Sequence, residues 1–239
     1  MALVSRGLVA TRARARDLIL RGEVLVSGHP ATKAAQMVGP ADAVALAGGP
    51  ADYVSRGALK LAHALAHFEL DGSGRTGVDI GASTGGFTET LLKAGCRRVY
   101  AVDNGRDQLH PRLRDDPRVV SLESQDARAL TQELIAEPIT AVVADVSFIS
   151  LTKVLTATLA LVAPGCWLVA LIKPQFEADR SAIPRNGVVR DAAVHEAAVS
   201  SVVGWIGQQP GWRVLGTTAS PIKGGDGNSE FLIGAEFDG

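Results

Sequence analysis

The first chemistry in this chain of 239 residues lies in one short stretch, "VDIGASTGGFTET" at 78–90. An apolar strand pattern carries Asp79 near its end. Small residues follow at Gly81, Ala82, Ser83, Thr84, Gly85 and Gly86, and Phe87 stands where a helical pattern begins. Glycine-rich turns between a strand and a helix let the backbone approach a nucleotide closely. This turn is not a phosphate-binding loop, because no Gly-Lys-Ser/Thr follows. It also departs from the dinucleotide spacing G-x-G-x-x-G, since the glycine after Gly81 comes four residues later. A wide turn with an acid suits S-adenosylmethionine, which has an ammonium at its amino acid end and no phosphate to cradle. Two more acids stand where such a ligand needs acceptors. "AVDNG" ends the second strand with Asp103, placed for both ribose hydroxyls. "SQDAR" follows the third and offers Asp126 to the adenine amino group. The competing reading is a plain βαβ turn with helix-capping acids, and acids at successive strand ends favour the cofactor.

These residues need a sheet to hold them. Strands are expected at 77–81, 98–103, 118–123, 139–146, 166–173, 212–220 and 229–237, with helices at 55–68, 84–95, 149–163 and 191–208. Near-continuous apolar strands separated by helices imply an α/β fold with a doubly wound, mostly parallel seven-stranded sheet. Ligands of such sheets sit beyond the carboxyl ends of the strands, where the strand order reverses. The last two strands are joined by the Gly-rich "PIKGGDGN", which permits an antiparallel last strand. In front, residues 1–47 read as a small α+β unit. It has a helix at 12–22, capped by Thr11 and stopped by Gly22, a hairpin over 23–32 turning at Ser27-Gly28, and a strand at 42–46. Residues 48–54 read as a linker and 55–239 as the larger domain.

Charge divides the same way. The net charge of −1 hides eight basic and four acidic residues in 1–60, against sixteen and twenty-one in the remainder. A basic front on an acidic body suggests an anionic partner at the front. The most apolar region, 154–172, is cut by Pro164-Gly165 and falls short of the roughly 20 uninterrupted apolar residues of a bilayer span. The N-terminus lacks the apolar run of a signal peptide. Cys96 and Cys166 have no disulfide or metal spacing, which suits a reduced, cytoplasmic protein. His29, His63, His67, His110 and His195 are scattered, so no metal site is expected.

Seven ordered motifs then carry a resemblance: "YVSRGALKL", "DIGASTGGFT", "YAVDNGRDQL", "DVSFISL", "IKPQFE", "GVVRD" and "SPIKGGDGNSEFL". Together they resemble the TlyA family over nearly the whole chain. These are FtsJ-type RNA ribose methyltransferases with an N-terminal RNA-binding domain like that of ribosomal protein S-four. The resemblance implies a Rossmann-like methyltransferase sheet, S-adenosylmethionine as cofactor and ribosomal RNA, at a cytidine ribose, as substrate. It also implies a Lys-Asp-Lys-Glu tetrad at Lys60, Asp145, Lys173 and Glu230, with Asp145 also beside the cofactor. Lys60 would take the hydroxyl proton, its own charge disfavoured by burial or by Lys173 nearby, while Asp145 and Glu230 orient the lysines. Arg6, Arg12, Arg14, Arg16, Arg21, Lys33 and Arg56 become RNA-binding candidates. Other acceptors fit less well. Neither cysteine lies on the ligand edge for attack on a base carbon, and "DVSF" has the aromatic Phe148 of an amine-methylating motif but not its prolines. Phe148 itself is expected in the core. Two rivals remain, a non-catalytic RNA-binding or ribosome-assembly factor and, because the family carries that label, a membrane-active haemolysin.

Overall fold

The computed structural model describes residues 2–9, 11–20, 22–31, 33–46 and 53–239. Arg21, the side chain of Arg14 and most of the expected linker lie outside the described residues. The front unit contains helices α1 (Ala2–Ser5) and α2 (Arg12–Leu20) and strands β1 (Val24–Val26), β2 (His29–Pro30) and β3 (Val44–Leu46), ordered β2-β1-β3 and antiparallel. The β1–β2 turn has Ser27 at φ +50° and Gly28 at φ +82°. That left-handed pair matches the twist of a two-residue hairpin. Leu3, Ala15, Leu18, Val24 and Ala31 close a small core of their own.

The larger part runs α3 (Ala58–His67), β4 (Thr76–Ile80), α4 (Gly86–Lys93), β5 (Arg98–Asp103), α5 (Pro111–Arg114), β6 (Val119–Glu123), β7 (Ile139–Ala144) and α6 (Leu151–Leu159). It continues with β8 (Val162–Ile172), α7 (Pro174–Glu177), α8 (Ala192–Gly207), β9 (Trp212–Ala219) and β10 (Phe231–Phe237). Its seven strands lie in the order β6-β5-β4-β7-β8-β10-β9. The first five are parallel, and β10 runs antiparallel to both β8 and β9. The chain winds outward from β4 to β6 and then returns to β7 on the other side of β4. The order therefore reverses between β4 and β7, and the crevice at their carboxyl ends is the ligand position of an open α/β sheet.

The apolar run that could be mistaken for a membrane segment is α6 followed by β8. Residues Cys166 to Ile172 of β8 are buried between helical layers, which is why they read as continuously apolar. Helix α6 ends four residues before the expected 163. Pro164 cannot donate to a helix and disfavours the helical region for its predecessor, so the chain leaves the helix early and enters the strand. Among the described residues, no helix is long and apolar enough to cross a membrane.

Candidate active site

A cleft of about 560 Å³ opens at the reversal point, lined by Gly81, Asp103, Gln125, Asp126, Asp145 and Phe148, among others. Gly81 (φ +82°) forms its base. A Cβ there would lie 2.6 Å from the Asp145 carbonyl oxygen, so the site requires glycine. Asp103, the last residue of β5, accepts from the Ser83 N–H at 2.8 Å through one oxygen and from the Gly105 N–H at 2.7 Å through the other. Each carboxylate oxygen has a further lone pair, and the cleft wall they form is an acceptor surface. Asp126 also lines the cleft, but its carboxylate already caps a 3₁₀ turn and pairs with the Arg128 guanidinium at 2.6 Å. That pairing holds its carboxyl below the ordinary carboxylate range.

Of the glycine-rich turn, Gly81 lines this cleft, and the other cofactor candidates of the turn are not among its lining residues. Ala82 and Phe87, the latter in the first turn of α4, are packed in the core with Leu61 and Leu65 of α3. Ser83 is buried, Thr84 gives its carbonyl to the His110 N–H, and Gly86 lies against Ser55 and Ala58, with Gly85 just before it in the left-handed region. Asp79 is fully buried in β4. Its Oδ2 accepts from Thr88 Oγ1 at 2.6 Å and its Oδ1 has no partner. Burial pushes this carboxyl from 3.8 up to about 7, opposed by the Thr88 bond and reinforced by the charge of Asp145. Because the folded protein holds this proton more tightly than the unfolded chain, Asp79 lowers stability as pH rises from about 4 to 7. Asp79→Asn is therefore expected to flatten the fall in melting temperature across that window relative to the wild type. Parallel pH profiles for the two proteins would refute the assignment.

The second feature is a cluster of four charges. Lys60 comes from the first turn of α3, Asp145 follows β7, Lys173 follows β8, and Glu230 precedes β10. All four are buried, each less than one-tenth exposed. Lys60 Nζ donates to Glu230 Oε2 at 2.7 Å and lies 3.8 Å from Asp145 Oδ2. Lys173 Nζ lies 2.6 Å from Asp145 Oδ1 and donates to Ser147 Oγ at 3.2 Å. Buried charges persist only when paired, and two of each sign balance here. Asp145 presents one oxygen to each lysine and so bridges them, and Lys60 is held by two acids. Lys60 is buried and Lys173 stands across one carboxylate from it, so both conditions expected to disfavour its charge are present, opposed by the two acids it bonds.

A second cavity of about 300 Å³ surrounds this cluster, with Arg16, Arg56, Phe148 and Gln175 also in its wall. Asp145, Ser147 and Phe148 line both cavities, so the two meet at the end of β7. Phe148 is 65% exposed with φ +67°. This corrects its expected place in the core: the left-handed backbone turns the ring outward, with its centroid 5.1 Å from that of Phe176. Of the basic candidates, Arg12, Arg16 and Lys33 are exposed. Arg6 is exposed as well, and its guanidinium also donates to the Asp42 and Gly39 carbonyls of the front unit at 2.6 and 2.9 Å. Arg56 reaches the Gly22 carbonyl at 3.4 Å as well as the cavity. Glu123 was not singled out in the sequence, yet it accepts the N–H groups of Asp107, Gln108 and Leu109 and fixes the loop beyond β5.

Fold and site together define a methyltransferase with an appended nucleic-acid-binding type of domain. The chain belongs to the FtsJ-like methyltransferase family, which it matches over residues 53–237, and residues 1–44 match the S4 domain. It is 43% identical over 232 residues to the 16S/23S rRNA (cytidine-2'-O)-methyltransferase TlyA of Mycobacterium tuberculosis, covering 97% of this chain and 86% of that protein. It is 39% identical to Hemolysin A of Brachyspira hyodysenteriae over 95% of both chains. A solved structure from Lactococcus lactis, described as a candidate hemolysin, superposes with a TM-score of 0.75 at 43% identity, covering 78% of this chain and 89% of that one.

Proposed function

We propose that this protein transfers a methyl group from S-adenosylmethionine to the 2′-hydroxyl of a cytidine ribose in ribosomal RNA, working in the cytoplasm. The observation that carries the reading is the meeting of the two cavities at Asp145, with acceptors for a nucleoside on one side and the Lys-Asp-Lys-Glu cluster on the other. The cleft chemistry fits the cofactor: Asp103 offers lone pairs for ribose hydroxyls, Gln125 and Asp126 lie further along, and Gly81 leaves the floor open. When bound, the cofactor supplies a methyl group already activated by a sulfonium. The chain's own task is then alignment and proton removal.

Lys60 is the group nearest the task of taking the hydroxyl proton, which it does as a free amine once its own proton has passed to the carboxylate bonded to it, and Glu230 and Asp145 fix its Nζ in place. Lys173, held by Asp145 and Ser147, sets the other side of the acceptor site. Four buried groups, one in the first turn of a helix and three directly at strand ends, keep a hydroxyl in line with little motion, and well-oriented placement of this kind is worth on the order of 7–11 kcal/mol at best. Phe148 and Phe176 offer an aromatic face of the type on which an unstacked RNA base rests. Attack through a base carbon would need a thiolate. Burial instead raises the Cys96 thiol to about 11 and the Cys166 thiol to about 12, so neither ionises at neutral pH. The M. tuberculosis relative's name supports the choice of cytidine ribose.

The test is methylation of ribosomal RNA with a labelled cofactor, followed by alkaline hydrolysis. A 2′-O-methyl group removes the hydroxyl that attacks the adjacent phosphate, so the ladder should show one gap at the labelled position. An unbroken ladder on labelled RNA would reject the ribose.

The front unit is expected to hold the RNA through phosphates. Replacing both Arg12 and Lys33 with alanine should leave cofactor affinity intact and weaken RNA binding. The slope of log affinity against log salt should flatten by about 0.7–0.9 for each phosphate that the variant no longer neutralises. An unchanged salt slope would remove these residues from the interface.

A further inference from the structure

Phe148 holds a conformation that its surroundings must impose. A left-handed φ is unfavourable for a bulky side chain, and a ring that is 65% exposed recovers little by its own burial. The turn is clasped on both sides. Before Phe148, Lys173 Nζ donates to Ser147 Oγ at 3.2 Å. After it, Glu177 Oε2 accepts from Ser150 Oγ at 2.6 Å, and Glu177 Oε1 accepts the Leu151 N–H at 2.8 Å. Lys173 immediately precedes α7 and Glu177 ends it. The single turn of α7 is therefore tied to the 145–151 segment at both ends, with the Phe148–Phe176 contact between the ties.

Glu177 lines neither cavity. Its carboxyl is pushed up by burial, and only the bonds from Ser150 and Leu151 draw it back. A partly buried acid is a costly way to cap α6 when Ser150 already accepts from the Thr152 N–H at 3.2 Å. Its geometry has a clearer use at the neighbouring turn.

We propose that Glu177 is a positioning residue for the acceptor pocket: by gripping Ser150 and Leu151 it presses the turn at Ser147 and Phe148 against α7, so that the aromatic pair and Lys173 face the acceptor nucleotide as one wall. The inference rests on the ribose-methyltransferase reading. Glu177 touches no reacting atom and acts through Phe148. Its loss should therefore affect use of RNA and spare the cofactor cleft, whose wall at Asp103 and Gly81 is held by other bonds.

The experiment is a double-mutant cycle on the full chain with ribosomal RNA as substrate. Glu177→Gln keeps the size of the side chain and removes its charge. It should lower kcat/KM for RNA by about 10–100-fold, the range for a displaced positioning group, with cofactor affinity by calorimetry unchanged. Phe148→Ala should lower kcat/KM as well, and the double variant should lose little more than the worse single variant, because both changes break the same wall. Ser150→Ala, which removes one of the two bonds, should give a smaller loss in the same direction and carries the test should Glu177→Gln fail to fold. Full activity in Glu177→Gln, or losses that multiply in the double variant, would overturn the proposal. An inactive wild type would overturn the ribose-transfer reading and this inference with it, a result distinguishable from an active wild type with an unaffected variant.

Discussion

Lys60→Ala is expected to reduce methyl transfer to RNA by about 10²–10⁴-fold, the contribution of a positioned general base, while cofactor affinity stays at the wild-type value. Lys60 lines the charged cavity and not the nucleoside cleft, so the two properties should separate. The same substitution has a structural cost. It leaves Glu230 and Asp145 buried without their shared cation, and breaking a buried pair in this way destabilises by about 3–5 kcal/mol. Lys60→Arg resolves the two effects. Arginine preserves the positive charge but cannot give up its proton to become a base. Stability should largely return in Lys60→Arg while methyl transfer remains absent. An active Lys60→Arg would move the proton-accepting role elsewhere. A fully active Lys60→Ala would argue that the cluster is structural and revive the reading of a non-catalytic RNA-binding factor.

Asp103→Ala is expected to produce the other large effect, on the opposite side of Asp145. The carboxylate supplies the acceptor wall of the cleft and also fixes the Ser83 and Gly105 N–H groups. Its removal deletes hydrogen bonds to a charged group, worth about 1.5–3 kcal/mol, so S-adenosylmethionine binding should weaken by roughly 10–100-fold. The turn at Gly81 to Gly85 also loses a strut, and the effect should lie toward the upper end. Calorimetry on the folded variant decides the matter. Unchanged affinity would mean that the nucleoside does not lie against β5.

The inner strands of the sheet were legible because they are buried on both faces. Runs such as that of β4, with every residue buried, leave little ambiguity about strand or helix once glycines and charges bound them. The turn after β4 was legible as a ligand turn for a local reason, since a single short window holds the acid, the glycines and the start of α4. What each residue in that window does was less legible. Asp79 and Phe87 sit close to Gly81 in sequence, yet strand alternation and helix packing turn them into the core. Helices α5 and α7 were missed because four residues cannot show a helical period, and only the proline at the start of each marks them.

The charged cluster lies at the other extreme. Lys60 and Glu230 are 170 residues apart and touch at 2.7 Å. No spacing rule connects them, and the sequence pointed to them only through the family resemblance. What joins them is topology. Strand β10 is inserted beside β8 with its first residue paired to Ile172, which sets Glu230 next to Lys173. Packing of α3 against the sheet then delivers Lys60. Phe148 was misread for a converse reason. Its type predicts burial, and only its backbone angle, invisible in the sequence, turns the ring toward the cavities.

Whether the methyl group reaches a ribose oxygen is decided by the chemical identity of the methylated nucleoside. Ribosomal RNA methylated by the pure protein with isotopically labelled cofactor should be digested completely to nucleosides and resolved by mass spectrometry with fragmentation at the glycosidic bond. The expected product is a labelled 2′-O-methylcytidine, in which the label leaves with the sugar and the cytosine fragment has its unmodified mass. A label that stays with the free base would contradict it.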